Sequence, residues 1–371
     1  MRGRRIKEGV PGEVRHPPGE LERFCREVLL RLGVPPEDAA VAAGSLVRAE
    51  LEGAGSHGLG RLPVYARRIR EGRIQARPRV RVERVGGCVL RVDGGNGLGQ
   101  VVSYRALEAA TPVARELGMA GVAVRRSNHF GAASFYCQIA CQKQMALIAT
   151  TNSPPGIAPW GGREALLGTN PIAVGFPVKG GPPLIADLSS SVVARGRIML
   201  AAREGRKIPE GWAMDSSGNP TTDPEEALEG AVLPFGGAKG YALALAVEAL
   251  AGVISGASSS PEVGNLYRDG DPPADVGHLF ILIDVGRWMP LEEYYARMGR
   301  LLGRIKSSPK ARGAEEILYP GERRHRAYLA NSREGLRLEP GLEAELRKLA
   351  VVLGVTPPGA GDRRGGERVD R

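Results

Sequence analysis

Apolar positions recur with helical spacing from Glu20 to about Leu32, where Leu21, Phe24, Val28 and Leu29 fall on one face. Gly33 ends that run. Pro35-Pro36-Glu37-Asp38 opens a second helix, Ala39 to Leu51, with acids where a helix N-terminus favours them. A third helix is predicted from about Leu62 to Glu71, stopped by Gly72. The pattern then shortens to two strands, Arg79–Arg84, in which Val alternates with Arg, and Cys88–Val92. Asp93-Gly-Gly-Asn-Gly-Leu-Gly99 is a glycine-rich turn feeding a helix from Gln100 to Leu117. Beyond Met119, short apolar strands (Gly121–Val124, Met145–Thr150, Pro171–Phe176, Leu184–Asp187) alternate with helices (Phe130–Gln142, Val192–Arg203, Gly240–Ile254), which argues for an α/β domain. Residues 205–234, broken by Pro209, Gly211, Asp215-Ser-Ser-Gly218 and Pro220, read as a long excursion. The strand His278–Ile283 precedes amphipathic helices at about Pro290–Ile305 and Pro340–Leu353. Residues 1–17 read as a flexible basic tail and residues 356–371 as a disordered one.

Composition narrows the class. The 371 residues are 42% hydrophobic and 25% charged, which excludes wholesale disorder and a small stapled scaffold. The most apolar stretch, Tyr241 to Ala257, is interrupted by Glu248 and glycines, so no membrane span is expected. The net charge is +10, carried mostly by arginine. No basic run has the interleaved aromatics of a single-strand binder, so nucleic acid is not an expected partner. Of the four cysteines, Cys137 and Cys141 lie one helical turn apart without a histidine at ligand spacing. Buried thiols are expected, and no metal. MRGRRIKEGV has charge but no apolar core, so it does not read as a signal peptide, and a cytoplasmic location is expected.

Five segments carry candidate chemistry. The Asp93–Gly99 turn is not G-x-G-x-x-G and no G-x-x-x-x-G-K-[ST] loop exists, so an ordinary Rossmann half is not supported. Arg125-Arg-Ser-Asn-His-Phe-Gly131 places His129 after a strand and at a helix start, with Ser127 and Asn128 as candidate caps. The positive end of a helix disfavours imidazolium, so His129 is expected neutral and able to accept a proton; the plainer reading is a capping or core histidine. In Ser56-His-Gly-Leu-Gly-Arg61, a glycine-rich break between helices, Arg61 can fork onto a carboxylate or make a surface ion pair. Thr150-Thr-Asn-Ser153 and Leu167-Gly-Thr-Asn-Pro171 look like the walls of a ligand crevice. Asp187-Leu-Ser-Ser-Ser191 ends a strand in an acid and starts a helix with hydroxyls, suited to ribose and pyrophosphate or simply to capping. Phe235-Gly-Gly-Ala-Lys-Gly240 sets a lone lysine in a glycine turn, where it can meet an anion.

SHGLGRL with Tyr65, SNHFGAAS, TNSPPGIAPWGGRE, LGTNPIAVGFP, DLSSSVVARGRI, IPEGWAMDSSGNPTTDP, LPFGGAKGYAL and YPGE occur in this order. Through them the chain resembles the malate/L-lactate dehydrogenase family of the sulfolactate and ureidoglycolate dehydrogenase type, a non-Rossmann lineage of 2-hydroxy-acid dehydrogenases, over about residues 18–355. The resemblance implies an α/β fold whose cofactor part has a mixed, largely antiparallel sheet, with a helical N- and C-terminal domain. Residues 18–118, packing with 275–355, would form the helical substrate part, and 119–274 the cofactor part. It implies a homodimer that transfers hydride between NAD or NADP and a small 2-hydroxy acid, malate first, then lactate or sulfolactate. His129 becomes the acid/base residue, with Ser56, His57 and Arg61 around the substrate. Ser153, Thr169, Asn170, Asp187, Leu188, Ser189, Lys239, Gly321 and Glu322 fall to the cofactor. NADPH-dependent reduction of cyclic 2-imino acids is the alternative within the family, and a non-catalytic basic binding protein is the alternative of another class. Departures from the family pattern are Glu50 and Ala238.

Overall fold

The computed structural model describes residues 14–266 and 271–359. Most of both expected tails lies outside these limits. The described part of the first tail is anchored: His16 is buried and exchanges backbone hydrogen bonds with Leu336 at 2.8 and 2.9 Å. At the other end the Gly359 amide donates to Glu20.

The chain builds one helical core and one sheet core. Helices Pro18–Arg31, Pro36–Leu51 and Leu62–Arg70 share an apolar cluster with Leu336, Leu338 and helix Pro340–Leu353. Helices from both ends of the described residues therefore form one helical layer. The main sheet has seven strands, in spatial order Arg81–Gly86, Val89–Asp93, Met119–Ser127, Val276–Asp284, Met145–Thr151, Ile172–Phe176 and Leu184–Leu188. Only Val89–Asp93 beside Met119–Ser127 runs parallel; the other neighbours are antiparallel. This is the mixed, largely antiparallel, non-Rossmann arrangement. The boundaries at 118/119 and 274/275 run through this sheet, because strands 81–93 and 276–284 join it from either side of residues 119–274.

Alternation explains the sheet's packing. Val122, Val124, Phe280, Leu282, Leu147 and Ala149 point to a core shared with helices Gly99–Leu117 and Ala133–Gln142. Gly118, at φ 88°, ends the longer helix in a left-handed turn directly before the strand. Cys137 and Cys141 are buried and free within helix 133–142.

Residues 205–234 are not an excursion. Ala213–Met214, Pro220–Thr221 and Ala231–Val232 pair in a second, five-stranded sheet with Pro155–Ile157 and Leu167–Gly168. Helix Pro224–Glu229 starts there on an Asp223 cap, which accepts from Glu225 N at 2.8 Å and Glu226 N at 3.3 Å. Short pairs like these carry too little apolar alternation to announce themselves. Helix Glu322–Glu334 was also not foreseen: Glu-Arg-Arg-His-Arg offers almost no apolar stripe.

A buried acid ties helix Ala238–Glu248 to the ends of two neighbouring strands of the main sheet. The Glu248 carboxylate, 4% exposed, accepts from Asn152 Nδ2 at 3.0 Å, Asn170 Nδ2 at 2.7 Å and the Ser260 amide at 2.8 Å. Asn152 follows the strand 145–151, and Asn170 precedes the strand 172–176. Glu248→Leu keeps the bulk and strips three N–H donors, two of them on buried side chains, of their shared acceptor. It should cost about 3 kcal/mol or more, read as a lower urea midpoint; an unchanged midpoint would show that the carboxylate does not hold these strands.

Candidate active site

Two glycine breaks bring the polar residues together. The first follows helix Pro36–Leu51, where Ser56 and His57 lie in a tight turn before helix Leu62–Arg70. Glu50 closes that turn. Its Oε1 accepts the Leu59 amide at 2.8 Å, and a Cβ on Gly58 would lie 2.3 Å from the same oxygen, so only glycine fits. Burial raises the Glu50 carboxyl above its ordinary range, and the Leu59 amide opposes the rise. Within the turn, Arg61 Nε donates to the Ser56 carbonyl at 2.7 Å, and Ser56 Oγ meets His57 Nδ1 at 2.9 Å.

The second break follows the strand Met119–Ser127. His129 does not start a helix: the helix begins at Ala133, with Ala132 as its uncharged cap. The helix-end explanation for a neutral ring therefore fails. Ser127 and Asn128 are not caps either. Asn128 Nδ2 reaches back to Gly97 O at 2.8 Å and Asn96 Oδ1 at 3.0 Å, and so fastens the His129 loop to the Asp93–Gly99 turn. A Cβ on Gly99 would meet the carbonyls of Asn128 and His129 at 2.2 and 2.5 Å, which is why that turn needs glycine there.

The breaks meet at His129. Tyr65 Oη lies 2.6 Å from His129 Nδ1 and also accepts from Gln100 Nε2 at 3.0 Å. The His57 and His129 rings stack with centroids 5.5 Å apart. Burial holds His129 well below the ordinary imidazole pKa, and the positive charge of Arg61 and the neighbouring His57 and His278 add to it. These effects favour the neutral ring, and none of them is a helix end. His57 is pushed down to about 4, by burial first, with Arg61 and Arg324 adding to it and Asp187 opposing. Burial also lowers the Arg61 guanidinium.

The strand Leu184–Leu188 carries the next group of candidate residues. Asp187 does not stand free for ribose hydroxyls. Its Oδ2 accepts from Arg324 Nη1 at 2.8 Å and from the Ser134 amide at 3.3 Å. Arg324, on the unforeseen helix, was missed for the same reason as the helix. Past Leu188, which is half exposed, Ser189 Oγ donates to the Thr169 carbonyl at 3.1 Å. Ser189–Ser191 do not begin a helix; the next one starts at Arg195 with Ala194 as cap. Asn170 is fully buried: its Oδ1 accepts the Ser153 amide at 3.2 Å, and its Nδ2 donates to Ala244 O and Glu248. It holds the crevice wall and has no surface left for a ligand. Gly321 and Glu322 are also structural. Gly321, at φ 107°, packs where a Cβ would lie 2.6 Å from the Pro183 carbonyl. The Glu322 carboxylate pairs with Lys306 and accepts the Tyr319 amide.

Ser153, Thr169, Ser189 and Lys239 remain as crevice groups. Ser153 Oγ is buried without a partner among the described residues, and exposed Lys239 makes no ion pair among them. The Lys239 turn lies beside the Ser189–Ser191 segment because the Phe235 amide donates to Ser190 O at 3.0 Å, and Gly237 packs on the Trp160 ring. Unsatisfied hydroxyl, ammonium and an indole wall fit an anionic, hydroxyl-bearing dinucleotide such as NAD or NADP. Among the described residues, no group of three His, Cys, Asp or Glu side chains is placed to hold a metal ion, and no helix is long and apolar enough to cross a membrane.

The profile of a family described as malate/L-lactate dehydrogenase matches residues 17–347. The L-sulfolactate dehydrogenase of Methanocaldococcus jannaschii is 41% identical over 91% of this chain and 97% of that protein. The (2R)-3-sulfolactate dehydrogenase (NADP(+)) of Chromohalobacter salexigens is 40% identical over 90% and 97%. A Delta(1)-pyrroline-2-carboxylate reductase of Ancylobacter novellus is 37% identical over 89% and 96%. The solved structure of malate dehydrogenase from Pyrococcus horikoshii superposes with a TM-score of 0.86 at 37% identity, covering 94% of this chain and 99% of that one. The chain belongs to the malate/L-lactate dehydrogenase family and is an NAD(P)-dependent dehydrogenase of that type.

Behind His129 sits a second histidine that sequence reading took only as a strand residue. His278 is fully buried, stacked on Phe130 at 4.7 Å, and bridges Thr151 Oγ1 and Ser127 Oγ at 2.8 Å each. Thr151 Oγ1 spends its proton on the Asn152 and Gly277 carbonyls, so it accepts from Nδ1–H and leaves Nε2 to accept from Ser127. Burial pushes this ring down to about 3. The unfolded chain binds this proton below about pH 6.5 and the folded one does not, so stability falls as pH drops, by about 1.4 kcal/mol per pH unit. His278→Gln should make the pH dependence of the urea midpoint shallower by that one proton between about pH 6.5 and 4.5. An identical dependence would mean that the native ring is already charged there.

Proposed function

We propose that this member of the family interconverts a small 2-hydroxy acid and its 2-oxo acid, with malate the first choice and sulfolactate or lactate next, and with His129 as the acid/base residue. The observation that carries the reading is a half-buried imidazole, held below its ordinary pKa, whose Nδ1 is taken by Tyr65, beside an arginine in a glycine-rich turn. Bound NAD or NADP would supply the hydride acceptor, held by Ser153, Thr169, Ser189 and Lys239.

The chain's own part follows from the hydrogen bonds. Tyr65 Oη already accepts from Gln100 and can accept a second bond from His129 Nδ1–H. That tautomer leaves Nε2 with its lone pair, ready to take the hydroxyl proton as C2 is oxidised, and to return it in reduction. Arg61 binds the substrate carboxylate. The carboxylate also offsets the cation that depresses His129, so the base gains proton affinity when an acid occupies the site. Ser56 and His57 line the same turn and position the substrate's second oxygen. A second copy of the chain is the proposed partner, supported by the half-buried apolar side chains Ile148, Val174, Leu279, Ile281 and Ile283 on the sheet face away from the core.

The second reading, reduction of a cyclic 2-imino acid, is favoured by the pyrroline-carboxylate reductase relative. It uses the same carboxylate contact, with His129 as the proton source. A panel of 2-oxo acids and cyclic 2-imines with NADH and NADPH decides between them: turnover of oxaloacetate, sulfopyruvate or pyruvate is expected, and turnover of imines alone would overturn the first reading. His129→Ala should lower kcat by about a hundredfold or more with cofactor affinity kept. Full activity at pH 7 would remove His129 from the role.

A further inference from the structure

The arginines of Arg77-Pro-Arg-Val-Arg81 take no part in the chemistry above. They stand at alternate positions in the stretch that leads into the strand Arg81–Gly86. With Arg126 and Asp93 they line a surface cavity of about 340 Å3. Four guanidiniums there face one carboxylate. Asp93 is engaged by Arg126 Nη1 at 3.3 Å and by Arg125 at 3.4 Å, and Arg77 Nε donates to the Gly33 carbonyl at 3.0 Å. Arg79 and Arg81 have no carboxylate partner among the described residues.

The walls are fixed by backbone. The Gln75 amide donates to Asn96 O at 2.9 Å, and a Cβ on Gly95, at φ 56°, would lie 2.9 Å from Arg79 O. The arginine segment and the Asp93–Gly99 turn thus meet main chain to main chain, and like charges are held together that would otherwise separate. Such an excess of fork-shaped donors around an open concavity is matched by a compact anion of two or more charges. The lining holds no aromatic platform on which bases could stack, which disfavours a nucleic-acid strand. None of Ser153, Thr169, Ser189 or Lys239 lines it.

We propose that the Arg77–Arg79–Arg81–Arg126 cup binds a small polyanion of the oligophosphate class. The turn that floors it also receives the Asn128 side chain, one residue before His129, so an occupant stiffens the turn to which the catalytic loop is fastened.

Calorimetric titration of the full chain with inorganic pyrophosphate tests this, in the presence of saturating NAD and, separately, NADP. One site is expected in the wild type under both conditions. Arg79→Ser/Arg81→Ser should weaken it about tenfold or more while turnover without pyrophosphate is unchanged. Arg79→Lys/Arg81→Lys keeps the charge and loses the fork, and should fall between the two; it serves as the test if the serine variant does not fold. Absence of binding, binding displaced by the cofactor, equal affinity in the lysine variant and the wild type, or tighter binding of a single-stranded oligonucleotide than of pyrophosphate would each overturn the proposal.

Discussion

The hydrogen bond between Tyr65 and His129 joins two parts of the protein that fold around separate cores. Tyr65 belongs to the helical layer built from both chain ends, and His129 ends a central strand of the sheet. Everything else at the site depends on their meeting. Gln100 orients the tyrosine, Asn128 fastens the histidine loop, and Glu50 closes the turn that carries Arg61 toward them. The cluster is half-buried and contains more cationic than anionic groups near the ring, so its imidazoles are held below the ordinary imidazole pKa. A dehydrogenation needs such a base: neutral at working pH, and strengthened when a carboxylate arrives.

The crevice shows a different principle. Polar residues at strand ends were all candidates for cofactor contacts, yet the structure divides them. Asn170, Glu248 and Asn152 satisfy one another in the interior and set the wall, as do Glu322 with Lys306 and Asp187 with Arg324. Ser153 Oγ and Lys239 are left with unspent hydrogen-bonding capacity. Buried polar groups that already have partners build a site; those without them are the ones a ligand can recruit.

Much of this was legible in the sequence. Apolar spacing located the helices at 18–31, 36–51, 62–70, 99–117 and 340–353, and the glycine-rich breaks marked Ser56, His57, Arg61 and His129. Misreadings cluster where local signals compete with distant contacts. Ser127 and Asn128 look like caps, but their side chains are claimed by His278 and the Gly97 turn, so the helix starts at Ala133 instead. Gln100, His278 and Glu248 carry no motif of their own; their roles arise from partners 35 to 151 residues away. Helix 322–334 lacks an apolar stripe and is held by Glu322, Arg324 and the Tyr328 ring under Arg48.

The claim on which the account rests is that His129 is uncharged in the free enzyme because of where it is buried. Five histidines make a direct measurement practical. The nitrogen resonances of histidine-labelled protein can be followed from about pH 8 to pH 4.5, a span that brackets the ordinary imidazole pKa, with His129 assigned by its loss in His129→Gln. The account predicts a neutral ring through pH 6, with any protonation well below 6.5. A midpoint at or above 6.5 would contradict it and move the task of accepting the proton to another group.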